Sequence, residues 1–278
     1  MRRCDFYANK VNRSKTIFMW ALVALILAIA IVIAGNIIRR QRIKNFKLPA
    51  TTHDYLLAHV AFYKALSDDK RIEFDERVRD FLARTAVTGI GIEITETDKV
   101  LVAASAIIPI FSFPDWRYNN ISEVLLYKGT FDKEYHTEGD ERNVLGMVGS
   151  GAMQGQMILS LPALRAGFSN PADGQNTAIH EFAHLIDKAD GATDGVPEYL
   201  LKPEHIQPWI KYMHQNIIEM QKSRHSDINL YGATNDAEFF AVISEYFFER
   251  PQELQQHHPE LYALLDEMFN PSKEDTAV

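Results

Sequence analysis

The chain has 278 residues, 46% of them hydrophobic, enough for one large domain or two small ones with a real core. Its net charge of −8 is uneven: residues 1–48 hold ten Lys or Arg and one acid, Asp5, leaving 19 basic and 36 acidic residues beyond, a net of −17. An acidic body argues against nucleic-acid partners, and a lone cysteine, Cys4, excludes an intrachain disulfide without fixing the redox compartment.

A basic tail, 1–16, opens the chain. From Thr16 to Ile38 the sequence "TIFMWALVALILAIAIVIAGNII" has no charged residue. At about 1.5 Å per residue it matches the ~30 Å hydrocarbon core of a bilayer. A cleaved signal peptide would carry an apolar run of about 7 to 15 residues. This run is longer, and Arg39, Arg40 and Arg42 follow at once. The expectation is one transmembrane helix over 17–38, in contact with the lipid bilayer, then a basic linker over 39–50. Five basic residues precede the span and five follow it. The second group is denser and nearer the span, which favours a cytoplasmic body under the positive-inside rule.

Residues 52–85 show helical spacing, with Ser67 opening a helix at "SDDKRIEFDERVRDFL". "TGIGIEI", 88–94, alternates like a strand. "DKVLVAASAIIPIF" reads as an apolar helix stopped near Pro109. "SEVLLY" and "QMILSL" read as two further strands. "GMVGSGAMQG" between them lacks the spacing and the Lys-Ser/Thr of a phosphate loop, so it reads as a loop. From Pro171 the pattern is mainly helical. A small sheet followed by helices is an α+β domain, here 51–268, with a tail over 269–278.

The chemistry sits in "AIHEFAH", 178–184. On a helix His180 and His184 lie about 40° apart in projection and share a face, so both imidazoles can bind one ion at about 2.0–2.1 Å. Glu181 points about 100° away, poorly placed as a ligand but able to act as base on a water held by the metal. The surrounding Ile179, Phe182, Ala183, Leu185 and Ile186 make the helix apolar on nearly every side, which argues against a solvated face.

A catalytic zinc needs a third protein ligand. Asp190 stands where metzincins carry theirs, but those enzymes turn at a glycine three residues after the second histidine, and here that residue is Asp187. The helix is expected to run on and carry Asp190 away. Asp187 itself reads either as an acceptor for the far N–H of His184 or as a surface acid at a helix end. Downstream, "YGATNDAEFFAVISEYFF", 231–248, contains a second helix apolar on almost every side, with Glu238 and Glu245 seven apart on one stripe. A carboxylate buried there needs a partner or a metal. Glu238 also fits a capping box opened by Asn235, and ligand is the favoured reading. Glu245 could orient a histidine or hold structural hydrogen bonds.

"HEFAHLID", "GVP" at 195–197, "YGATNDAEFFAVISEYFF", the upstream "EVLLY" and the "LPATT" opening together resemble the MtfA family, zinc metallopeptidases named for the Mlc titration factor. The resemblance covers roughly residues 48–268 and leaves the membrane span outside. It implies a zincin-like domain with one Zn2+ held by His180, His184 and Glu238, Glu181 as general base, and Tyr231 as hydrogen-bond donor to the oxyanion. Read from its surroundings alone, Tyr231 could equally be a packing aromatic in a Tyr-Gly turn.

Two functions of different class follow. One is a membrane-anchored zinc peptidase acting on a peptide or protein laid along an edge strand, with "QMILSL" as the candidate edge. The other is a membrane-tethered protein that sequesters a transcriptional regulator, with zinc mainly structural. The intact Glu181 favours the first, because a structural site has no need of it.

Overall fold

The computed structural model describes residues 2–130, 145–149, 151–170, 174–223 and 226–271. The chain forms two compact units, Met1–Lys47 and a body from Leu48 onward. The first is a single helix, α1 (Arg2–Asn45). It contains no proline, so nothing interrupts its ladder, and it runs through the basic segments on both sides of the apolar run. Within it, Met19–Asn45 is long and apolar enough to cross a membrane, with a mean hydropathy of 2.9 over its apolar window and none of that window buried.

The body starts with α2 (Thr52–His59), α3 (Ala61–Ala65) and α4 (Asp68–Arg84). Ser67 does stand at the start of α4, although its side chain makes no capping bond. Strand β1 (Ala86–Ile90) begins and ends earlier than the alternation suggested. Gly91 takes φ +66° and turns the chain back over Gly89, where a Cβ would lie 2.4 Å from the Ile92 carbonyl oxygen. Helix α5 (Glu96–Ile107) then starts at Thr95, whose side chain and backbone N–H exchange hydrogen bonds with Asp98 in a full capping box. It gives way to one 3-10 turn, Ile108–Ile110, at Pro109.

Next come β2 (Glu123–Tyr127), β3 (Gly146–Val148), β4 (Gln156–Ser160), α6 (Leu161–Ser169) and α7 (Thr177–Asp187). The chain ends its described part with α8 (Pro203–Lys222), α9 (Asp236–Glu249), α10 (Pro251–His257) and α11 (Pro259–Phe269). The sheet order is β1-β2-β4-β3, with β1–β2 and β2–β4 parallel and β3 antiparallel to β4. Two sequence expectations change here. Gly146–Val148, read as loop, is a strand; three residues are too few to show a period. That strand pairs Gly146 with Leu159 and Val148 with Met157, so β4 is interior and β3 holds the edge.

The central strands β2 and β4 are almost continuously apolar because both faces are buried, one in the main core and the other under a small cluster of side chains. One face packs on α5, α7 and α9 in the main core; on the other, Leu125 and Ile158 form a small cluster with Tyr127 and Met147. The core also reaches Phe269, assigned to the tail from sequence. It is 1% exposed and stacks on Phe240 and Phe247.

Candidate metal centre

Helix α7 begins at Asn176, whose Oδ1 accepts the Ile179 N–H at 3.1 Å, a cap whose signal lies in the Asn of "QNTAIH". Helix α9 begins at Asn235, whose Oδ1 accepts the Glu238 N–H at 2.9 Å. The cap therefore uses the backbone of Glu238 and leaves its carboxylate free to face α7. His180 Nε2 lies 3.0 Å from Glu238 Oε2 and 3.1 Å from His184 Nε2; the third side, His184 Nε2 to Glu238 Oε2, is 3.3 Å. Ligand atoms about 2.0–2.1 Å from a tetrahedral zinc would sit about 3.3–3.4 Å apart. The observed triangle is close to one face of that tetrahedron.

Charge is balanced tightly here. Burial pulls the His180 pKa down, but the bonds to Glu238 and Glu245 outweigh it and push it up to about 10. Burial would raise the Glu238 pKa, and the bonds from His180 and His184 drive it well below the usual carboxylate range instead. Glu181 is 5% exposed, and burial raises its pKa against the pull of the two histidines. Its carboxylate lies against β3: a Cβ on Gly146 would sit 2.6 Å from Glu181 Cγ and 2.7 Å from Oε1. The pair faces a cavity of about 260 Å³ whose walls include Thr177, His180, Tyr231 and Val242.

Tyr231 stands in a 3-10 turn, Leu230–Ala233, with Asn229 Oδ1 accepting its N–H at 3.0 Å. The residue is 54% exposed, and its ring centroid lies 6.1 Å from that of His180. Burial of the hydroxyl, then the charge of Glu238 and a hydrogen bond to it, push its pKa up to about 12.

The profile of the family described as glucose-regulated metallo-peptidase M90 matches residues 36–270. The chain belongs to that family. It is 29% identical over 241 residues to an uncharacterized protein, slr2042, of Synechocystis sp., covering 83% of this chain and 87% of that one. It is 27% identical over 220 residues to Mlc titration factor A of Pectobacterium atrosepticum, covering 73% and 80%. Mlc titration factor A of Escherichia fergusonii shares 29% over 187 residues, covering 62% and 68%.

In this M90 chain the donor set fits a divalent ion. Three electronegative atoms converge within hydrogen-bonding distance, and among the described residues His180, His184 and Glu238 form the one such His/His/Glu group. Asp190 is not part of it. Helix α7 ends at Asp187 rather than running on, one 3-10 turn follows, and Asp190 Oδ1 accepts the Ala192 N–H of its own loop. Asp187 is fully buried, not a surface acid. Burial, partly offset by the Gly195 N–H that Oδ2 accepts at 3.1 Å, pushes its pKa up to about 6. Its bond to His184 is not formed: Asp187 Oδ1 and His184 Nδ1 are both buried without a hydrogen-bond partner. Gly195, from "GVP", also accepts the Trp209 indole N–H at 2.7 Å and sits at φ +73°, where a Cβ would meet the Asp236 carbonyl oxygen at 2.3 Å.

Proposed function

We propose that the protein is a membrane-anchored zinc-dependent peptidase with its body in the cytoplasm. The observation that carries this reading is the 3.0–3.3 Å triangle of His180, His184 and Glu238 beside a buried Glu181 that borders the cavity. His180 Nε2, His184 Nε2 and Glu238 Oε2 would hold the ion, and a zinc bound there would supply Lewis acidity. Glu181 takes a proton from the attacking water and returns it to the leaving amine, a task suited to a carboxylate whose pKa burial has raised. The Tyr231 hydroxyl turns from Glu238 to the developing oxyanion and donates a hydrogen bond there. Gly146 keeps the edge of β3 close to Glu181, so a peptide backbone can approach the base. The anchor is α1, and the Arg39–Lys47 cluster sets the topology.

A second reading has one observation in its favour: two of the relatives described above are named Mlc titration factor A. On that reading the body binds a protein regulator and hydrolyses nothing. Zinc content and steady-state peptide hydrolysis, measured on the same samples, separate the two. His180→Ala, His184→Ala and Glu238→Ala lose zinc, and Asp190→Ala keeps it. Glu181→Gln keeps zinc and loses hydrolysis. Tyr231→Phe keeps zinc and KM while kcat falls on the order of 10²- to 10³-fold. No hydrolysis by the zinc-loaded wild type would sink the peptidase and leave the regulator-binding reading, whereas full turnover by Glu181→Gln would remove Glu181 as its base.

A further inference from the structure

Helix α9 touches one imidazole at both of its nitrogens. Glu238, in the first turn, faces His180 Nε2, and Glu245, two turns on, lies 2.7 Å from His180 Nδ1 through Oε1. The other oxygen, Glu245 Oε2, accepts the backbone N–H of Asn176 at 2.6 Å. Glu245 is 7% exposed, so two N–H donors compensate its buried charge, one on each oxygen. The second donor cannot move away. Asn176 caps α7 through Oδ1, and its Nδ2 donates to the Gly167 carbonyl at 3.2 Å and to Glu249 at 3.1 Å. Gly167 leaves room for this, since a Cβ there would lie 2.9 Å from Asn176 Cγ. Glu245 is thus anchored at the first residue before the helix whose fourth residue it holds.

We propose that Glu245 is a positioning residue for the metal centre: by accepting the Nδ1–H of His180 it fixes that ring's tautomer and angle, so that the Nε2 lone pair faces His184 and Glu238. This rests on the metal-binding reading of the triangle. Ligand histidines generally hand their second N–H to an acceptor, and losing that acceptor costs about 10- to 100-fold in metal affinity. His184 has no such support, because its Nδ1 has no partner. The two histidines are therefore unequal, and His180 is the one whose placement defines the site.

The geometry makes glutamine a sharp test. A carboxylate accepts on both oxygens, whereas Gln accepts on one and donates from the other. Glu245→Gln must then set its NH2 against either the Asn176 N–H or the His180 Nδ1–H, or accept the tautomer with a proton on Nε2, which cannot ligate. The experiment uses the full chain in detergent, with zinc as the probe in a chelator competition and with NMR of the histidine ring nitrogens in the zinc-loaded protein. In wild type the buried Nδ1 proton of His180, hydrogen-bonded to Glu245, resists exchange, unlike those of the half-exposed His53 and His257. Glu245→Gln raises the zinc Kd about 10- to 100-fold and loses that proton. Glu249→Gln, which touches Asn176 but not the ring, changes neither. If Glu245→Gln fails to fold by circular dichroism, Glu245→Asp replaces it: it keeps both acceptors one methylene short, and should weaken zinc by a smaller factor with the Nδ1 proton exchanging faster. Unchanged zinc affinity, or a retained Nδ1 proton, in whichever variant folds overturns the positioning role. A wild type that binds no zinc overturns the metal reading itself, which is a different result.

Discussion

Helices α1 and α9 are both dense in large apolar side chains, yet Ile31 of the first is 72% exposed and Phe240 of the second 0%. They differ in where they keep charge. The stretch from Thr16 to Ile38 has none, whereas α9 places Glu238 and Glu245 among Phe239, Phe240, Val242 and Ile243. The contrast follows from what surrounds each helix. Hydrocarbon offers no partner to an ionised side chain, so a helix suited to it keeps its charges at the ends. A protein interior can bring donors to a fixed point, and α9 meets Asn176 and His180 there. A long apolar stretch with no charge suits lipid; an apolar helix with two acids on one stripe suits an interior that brings partners to them.

Removing residues 1–47 breaks this comparison most completely. The remaining chain should move from the membrane fraction to the supernatant and still bind zinc. A truncated protein that stayed with membranes would show that α1 is not the anchor. The next effect is smaller and tests the two helices against each other. Phe240→Ala should cost about 3–5 kcal/mol in denaturant unfolding of the body, because its ring packs on Trp209 and Phe269 with no route to collapse. Leu25→Ala, a similar truncation in α1, should leave that transition where it was. Equal losses in the two variants would mean that α1 packs into the body.

Much of this site can be read from the sequence because it depends on short spacings. His180 and His184 share a face by helical geometry, and Glu238 stands out as an acid in an apolar helix. The structure brings the three together. The strand Gly146–Val148 was not legible because three residues carry no period, and without it β4 looked like the edge. The partner of Glu245 was not legible either: its two donors lie 65 and 69 residues away in the chain, and only the packing of α7 on α9 joins them. The sequence leaves Asp187 open between a buried acceptor and a surface acid, because a helix-end acid is usually exposed; its burial comes with Gly195, eight residues on, folding back over it.

Gly195 has a consequence in time. Its N–H needs Asp187 on α7, its carbonyl needs Trp209 on α8, its backbone comes up against Asp236 on α9, and no residue with a side chain fits its conformation. These contacts exist together only after three helices have met, so the loop is expected to close late, on the native side of the folding barrier. Its contribution should then appear in how slowly the body comes apart rather than in how quickly it forms. Stopped-flow measurements on Gly195→Ala should find the unfolding arm of the chevron raised and the folding arm nearly unmoved. A slowed folding arm would instead place this turn in the nucleus. On the first outcome, Gly195 sets the lifetime of the assembled metal centre.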